Sequence, residues 1–284
     1  MKKIAVIGGS RPEIKFFIKT AMNKYNDQLE FHVFDTESNI DVDSLWHYHP
    51  CQTEEEMALK AVKFVHEGKA DILVKGIVPT RTILKAVLTP EYSLKTQSLL
   101  SHVAVVQLPS LDRQLLLTDA AMNIAPDTTQ LIEVTKNVLK VARKMDVFHP
   151  KIALLSSAET YNPKMPSSVN AQQVTEYFSN LKDAIVYGPL SFDLALSKEA
   201  VQHKGFEGPI MGDADVLVVP NIDVGNVLYK SLVLFGQAKM GGTIVGTKVP
   251  IVLTSRADSL DSKMIALQLA MSQVSSNKNS EVKT

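Results

Sequence analysis

The chain has 284 residues, 45% of them apolar, and its 30 basic side chains are balanced by 30 acidic ones. That length suits one large α/β domain or two modest ones, the neutral balance gives no field to draw the chain to nucleic acid or an anionic membrane, and no apolar run approaches the ~20 residues needed to span a bilayer. A single cysteine, Cys51, excludes an internal disulfide framework and thiolate metal clusters, so a cytoplasmic protein is expected.

Taken from the start, Met1–Lys2–Lys3 is a charged lead-in to a strand at Ile4–Ile7, with too short an apolar stretch for a signal peptide. The turn that follows, Gly8–Gly9–Ser10, is not GxGxxG, and GxxxxGK[ST] occurs nowhere, which disfavours dinucleotide and P-loop enzymes. A second strand is expected at Phe31–Phe34. His47 and His49, one residue apart, could chelate a metal, but beside Trp46, Tyr48 and Pro50 they read as loop packing, and no metal is expected. Glu54 to His66 has helical periodicity and is ended by Gly68.

Next, Ile72–Val74 runs into Lys75–Gly76–Ile77–Val78–Pro79–Thr80, a strand-to-helix turn around which Lys75, Arg81 and Lys85 cluster. Such a cluster can bind an anion or be a solvated basic face. Strands at Val103–Leu108 and Leu115–Leu117 flank Pro109–Ser110–Leu111–Asp112, which suggests an antiparallel hairpin. Asp119 and Asn123 follow in a polar turn. Leu131, Val134, Val138, Val141 and Met145 then recur at spacings of three and four, on one face of a helix starting near Asp127–Thr128.

Further strands are expected at Ile152–Leu155, Ala184–Tyr187, Val216–Val219, Thr243–Val245 and Ile251–Leu253. After Val219 a polar turn leads to a helix that Asn226 would cap, with Tyr229 and Lys230 in its first turn. A cation there opposes the helix dipole, so Lys230 meets an anion or is merely solvated. After Leu253 comes Ser255–Arg256–Ala257–Asp258–Ser259, a hydroxyl, a guanidinium and a carboxylate packed ahead of a helix from Lys263 to Met271. Ligands bind at such carboxyl ends of strands, the helix N-terminus favours anions, and Arg256 offers a planar fork for phosphate. Equally, Asp258 or Ser259 could simply cap the helix. The alternation of short β-branched runs with amphipathic ones predicts an α/β architecture with a mostly parallel sheet; two lobes accommodate this many strands more easily than one sheet.

Collinear over about 70–263, several segments resemble the phosphate acetyl/butyryltransferase family: Lys75–Gly76 through Thr80, Asp119–Ala120–Ala121–Met122–Asn123 with Pro126, Tyr187–Gly188–Pro189–Leu190–Ser191–Phe192–Asp193, Ala214–Asp215 with Asn226 and Tyr229–Lys230, and Ser255–Arg256. The Thr254–Ser255–Arg256–Ala257–Asp258–Ser259 spelling is closer to the butyryl branch. The resemblance implies two α/β lobes around a cleft, 1–130 plus 249–284 and 131–248, the fold of isocitrate/isopropylmalate-type dehydrogenases. It implies direct transfer between acyl-CoA and phosphate, giving acyl phosphate and coenzyme A, with no bound cofactor or metal. The apolar faces, apart from the resemblance, are expected to support a homodimer or larger assembly.

Carried over residue by residue, the resemblance makes Ser255 the hydrogen-bond donor to the reacting carbonyl. Arg256 becomes the phosphate ligand, with Lys230 beside it. Lys85 falls where acetyltransferases carry an arginine thought to grip coenzyme A, with Lys75, Thr80 and Arg81 nearby. Asn226, Tyr229, Asp119 and Asn123 line the cleft. The acetyl branch has its catalytic aspartate seven residues after the serine; here that position is Ser262, and the candidate bases are Asp258, which is favoured, and Asp261. The alternatives are a phosphate acetyltransferase, a non-catalytic coenzyme A or acyl-phosphate sensor, and an isopropylmalate-type dehydrogenase.

Overall fold

A computed structural model describes residues 1–26, 28–36, 46–253 and 258–274. The strands are β1 (Lys2–Ile7), β2 (Leu29–Asp35), β3 (His47–Pro50), β4 (Ile72–Lys75), β5 (Ser101–Gln107), β6 (Leu115–Thr118), β7 (Lys151–Leu155), β8 (Ile185–Leu190), β9 (Val216–Val218), β10 (Lys239–Val245) and β11 (Ile251–Leu253). The helices are α1 (Pro12–Tyr25), α2 (Glu54–His66), α3 (Thr80–Val87), α4 (Thr128–Lys144), α5 (Pro166–Tyr177), α6 (Phe192–Leu196), α7 (Lys198–Lys204), α8 (Ile222–Leu234) and α9 (Leu260–Gln273).

The local chemistry explains the boundaries. Helix α4 opens on a capping box in which Asp127 accepts from the Gln130 backbone and Gln130 reaches back to the Asp127 N–H. Its buried residues include Leu131, Val134, Val138 and Val141, the face expected from their spacing. Helix α2 carries Glu54, Glu55 and Glu56 in its first turn and Lys63 and His66 in its last, the arrangement its dipole favours. Gly68, at φ +71, supplies the left-handed turn just beyond it.

Among the described residues a single eleven-stranded sheet, in place of the expected separate sheets of two lobes, runs in the order β3-β2-β1-β4-β11-β10-β5-β6-β9-β7-β8. Strands β3, β2, β1, β4 and β11 are mutually parallel, and so are β6, β9, β7 and β8. Between the two blocks the pairs β11–β10, β10–β5 and β5–β6 are antiparallel, so strand direction reverses in the middle of the sheet. The expected hairpin at 109–112 is the β5–β6 connection. The β10 segment, grouped with 131–248 by chain order, is bonded instead between β11 and β5.

Side-chain alternation sends successive residues to opposite faces. Ala5, Ile7 and Leu73 pack under α2 and α3, whereas Ile4, Val6, Ile72 and Val74 pack under α1 and α9. In the other half, Val103, Val105, Ile152 and Leu154 lie under α4 and α5, and Ala104, Val106, Ala153 and Leu155 lie under α6, α7 and α8. Two further readings need correction. His47 and His49 form strand β3, paired in parallel with β2, rather than a loop. Asn226 does not cap α8: Asn221 does, accepting from the Val224 N–H, so the helix begins five residues earlier than a cap at Asn226 would start it.

Candidate functional site

A cavity of about 570 Å³ sits where strand direction reverses. Its wall is assembled from distant segments: Lys75 at the end of β4, Val78, Pro79 and Thr80 leading into α3, and His102 on β5. Ala120 and Ala121 come from beyond β6, Asn226 and Tyr229 from α8, Gly241 and Gly242 from β10, Leu253 from β11, and Asp258 and Ser262 from the start of α9. Ligands collect at such places because strands ending in turns leave backbone groups and loop side chains free to converge.

Lys75 is buried, with its Nζ 3.4 Å from the Gly76 carbonyl oxygen. The tight turn beyond it needs glycine, since a Cβ on Gly76 would lie 2.1 Å from the Gly8 carbonyl oxygen. Helix α3 begins at Thr80 with no side-chain cap and no acid in its first turn, so its first N–H groups and positive dipole end are available to an anion. Arg81 and Lys85 are exposed on α3 and are not part of the cavity wall.

Asp119 is buried, but its carboxylate turns back into its own loop. It accepts from the backbone N–H groups of Ala121 and Met122, each at 3.0 Å, and from that of Asn123. The Asn123 side-chain amide bonds the same carboxylate and, at 2.9 Å, the Leu100 carbonyl. These two residues therefore hold the loop that presents Ala120 and Ala121 to the cavity. Gly225 lets α8 lie against that loop, because a Cβ there would meet the Ala120 Cα at 2.8 Å. Asn226 and Tyr229, one helical turn apart, face the cavity in consequence, while Lys230 is exposed and outside its wall.

Asp258 and Asp261 separate clearly. Asp258 lies on the cavity wall, and its charge raises the proton affinity of both His102 and Tyr229. The Tyr229 phenol is pushed up to about 12, by burial first and by Asp258 second, so it is a donor at neutral pH. Asp261 is exposed and ion-paired to Lys239 at 2.7 Å, and that lysine lowers its pKa. Ser259 is the cap of α9, accepting from the Ser262 N–H at 3.2 Å, which leaves Asp258 free of that duty. Ser255 and Arg256 lie outside the described residues.

His102 was not singled out from sequence. It is buried on the cavity wall with no hydrogen-bond partner for Nδ1 among the described residues. Burial lowers its pKa, against an upward pull from Asp119 and Asp258, so the ring is kept neutral. Room for the ring comes from Gly242, where a Cβ would lie 2.3 Å from His102 Nε2. On the neighbouring residue, a Gly241 Cβ would lie 2.4 Å from the Ala266 nitrogen of α9. The Gly241–Gly242 pair was the available signal, but without the β10–β5 register nothing linked it to His102.

The description "phosphate acetyl/butaryl transferase" fits a family profile that matches residues 49–271. The chain belongs to this family. Over 215 residues it is 45% identical to phosphate butyryltransferase of Clostridium acetobutylicum, covering 75% of this chain and 71% of the relative. Phosphate butyryltransferase of Clostridium beijerinckii is 36% identical over 286 residues, covering 98% of this chain and 94% of the relative. Among solved structures, a branched-chain phosphotransacylase from Enterococcus faecalis superimposes with a TM-score of 0.93 at 56% identity, over 96% of this chain and 99% of that one. Family members thus match this chain through the whole span that builds the cavity.

Proposed function

We propose that this acyltransferase converts a short or branched acyl-CoA and inorganic phosphate into acyl phosphate and free coenzyme A, with butyryl, isobutyryl and isovaleryl groups as the substrate class. The observation that carries the reading is the convergence of Lys75, the α3 N-terminus, Asn226, Tyr229 and Asp258 on one cavity in a chain of this family. In the acyl phosphate-consuming direction, Asp258 takes the proton of the coenzyme A thiol, whose pKa of ~8.5 leaves it mostly protonated at neutral pH. The thiolate attacks the carbonyl carbon, charge builds on the carbonyl oxygen, and inorganic phosphate departs as the thioester forms. Ser255 and Arg256, taken from the family motif, donate to that oxygen and neutralise the phosphate. Lys75 and the α3 N-terminus supply further positive potential for the anionic substrates. Arg81, Lys85 and Lys230 are exposed, so they serve in this reading as contacts to coenzyme A or phosphate outside the cavity wall.

In this reading the two halves of the sheet act as lobes, 1–130 plus 249–284 and 131–248, in the manner of the isocitrate/isopropylmalate-type dehydrogenases. Two core clusters lie toward the β3 edge and two toward the β8 edge, and the latter two also take in residues 103–106 and 115–117 from before residue 130. Among the described residues no helix is long and apolar enough to cross a membrane; a cytoplasmic location is part of the proposal and is supported by the single cysteine. Val224, Val227 and Leu234 make an exposed apolar row on α8, with Phe235 just beyond, which supports a homodimer or larger assembly. The test is phosphate-dependent release of free thiol from acetyl- through isovaleryl-CoA, without added metal or nicotinamide. Turnover that requires phosphate sustains the reading, and the preferred chain length names the branch. Saturable binding without turnover would leave a sensor instead.

A further inference from the structure

At the far edge of the sheet, away from the cavity, the parallel pairing of β2 with β3 sets His32 opposite His47 and Phe34 opposite His49. Because alternate residues share a face, Glu30 and His32 of β2 stand on the same side as His47 and His49 of β3. Glu30 Oε1 is 3.0 Å from His32 Nε2 and 3.3 Å from His47 Nε2. The ligand atoms offered by Glu30, His32 and His47 all lie within 4.8 Å of one another. We propose that Glu30, His32 and His47 form a binding site for a borderline divalent cation of the zinc class, closing β3 onto β2. The inference is independent of the acyltransferase reading.

The geometry suits that ion. Around tetrahedral zinc with bonds of ~2.0–2.1 Å, ligand atoms sit about 3.4 Å apart. Both carboxylate–imidazole separations are already close to this value, and the remaining edge needs only a turn of His47, whose side chain is 64% exposed. The carboxylate is correctly divided: Lys3 approaches Oε2 at 3.5 Å, leaving Oε1 to the two imidazoles. His32 is the buried member, and its Nδ1 is 3.1 Å from His49 Nε2. With its proton on Nδ1, His32 donates to His49 and turns the Nε2 lone pair toward Glu30 and His47. Ligating histidines are characteristically oriented by such a bond from the other ring nitrogen. Stacking of His49 on Phe34, with ring centroids 4.4 Å apart, fixes that partner in turn. Two nitrogens and one oxygen favour zinc, cobalt, nickel or copper over magnesium or calcium, which prefer all-oxygen sites. Exposure of His47 leaves the fourth position to water.

Zinc(II) titration of the tag-free full chain against a chromophoric chelator tests the assignment, with magnesium as the control. Expected is one zinc per chain that excess magnesium does not displace. In both His47→Gln and Glu30→Gln the affinity should fall about tenfold or more. His47 is exposed, so its variant keeps the fold, and its coenzyme A release should match the parent's. At zinc about a hundredfold above the dissociation constant, the parent's Tm should rise by about 5 °C or more, and that rise should shrink by about half or more in His47→Gln at the same zinc concentration. No stoichiometric uptake at micromolar free zinc, or equal affinity in parent and both variants, overturns the proposal.

Discussion

Replacing Asp258 by Asn tests the chemistry most directly, because Asp261, three residues on, is its built-in control. The two carboxylates differ in surroundings: Asp258 faces the cavity with His102 and Tyr229, whereas the Asp261–Lys239 pair is 58% and 62% exposed. Loss of a positioned general base typically costs ~10²–10⁴-fold in rate, which is about 3–5 kcal/mol of barrier. Loss of an exposed ion pair costs at most ~1 kcal/mol of stability and should leave turnover intact. A pH profile separates base catalysis from damage to the site. A thiol of pKa ~8.5 is about 3% ionised at pH 7, so the Asn variant, depending on thiolate already formed, should gain about tenfold per pH unit until that pKa is passed. The parent should gain much less over the same range. The assay is thioester formation from acyl phosphate and coenzyme A, with kcat/KM measured between pH 6.5 and 9.5. Full activity in Asp258→Asn together with its loss in Asp261→Asn would refute the argument and exchange the two roles.

Gly242→Ala should destabilise the fold by about 1–3 kcal/mol, because the new methyl would sit 2.3 Å from His102 Nε2 and 2.7 Å from its Cε1. Differential scanning calorimetry should show Tm lower by several degrees; an unchanged Tm would mean the ring is not held there. The folded-state pKa of His102 is lowered, so its contribution to stability is present above about pH 6.5 and is lost as pH falls toward the lower folded-state value. Each such imidazole steepens the decline by up to ~1.4 kcal/mol per pH unit. His102→Gln should flatten the urea-derived stability curve between pH 6.5 and 5, and identical curves would refute this. If the proposed homo-oligomer forms through the exposed apolar row of α8, Leu234→Glu should lower the mass found in sedimentation measurements, and an unchanged mass would refute that contact.

Much of the fold was legible because its signals are local. The capping box at Asp127, the apolar spacing of α4 and the punctuation of the β5–β6 hairpin each lie within a few residues of the element they specify. Strand β3 was missed because its four residues, His47–Tyr48–His49–Pro50, carry neither apolar alternation nor β-branched side chains. They are held extended by pairing with β2, which is not visible in their own composition. The cap of α8 was misplaced because Asn221 and Asn226 are equally good local signals. In the structure Asn221 accepts from the Val224 N–H, and Gly225 already lies inside the helix, against Ala120.

The site divides in the same way. Sequence alone determined the α/β class, the family resemblance and the candidate residues, since motif chemistry survives in the order of side chains along the chain. It also favoured Asp258 over Asp261 as the base on the helix-start argument, a choice that the Asp258→Asn and Asp261→Asn variants test. What only the tertiary structure decided is which candidates meet. Asp119 and Asn123 bond within their own loop, Arg81, Lys85 and Lys230 face solvent, and His102 joins Asp258 and Tyr229 across the reversal of strand direction. The reason is physical: contact in the cavity depends on strand register and on the close approach that Gly225, Gly241 and Gly242 permit, and these are properties of pairs of segments far apart along the chain.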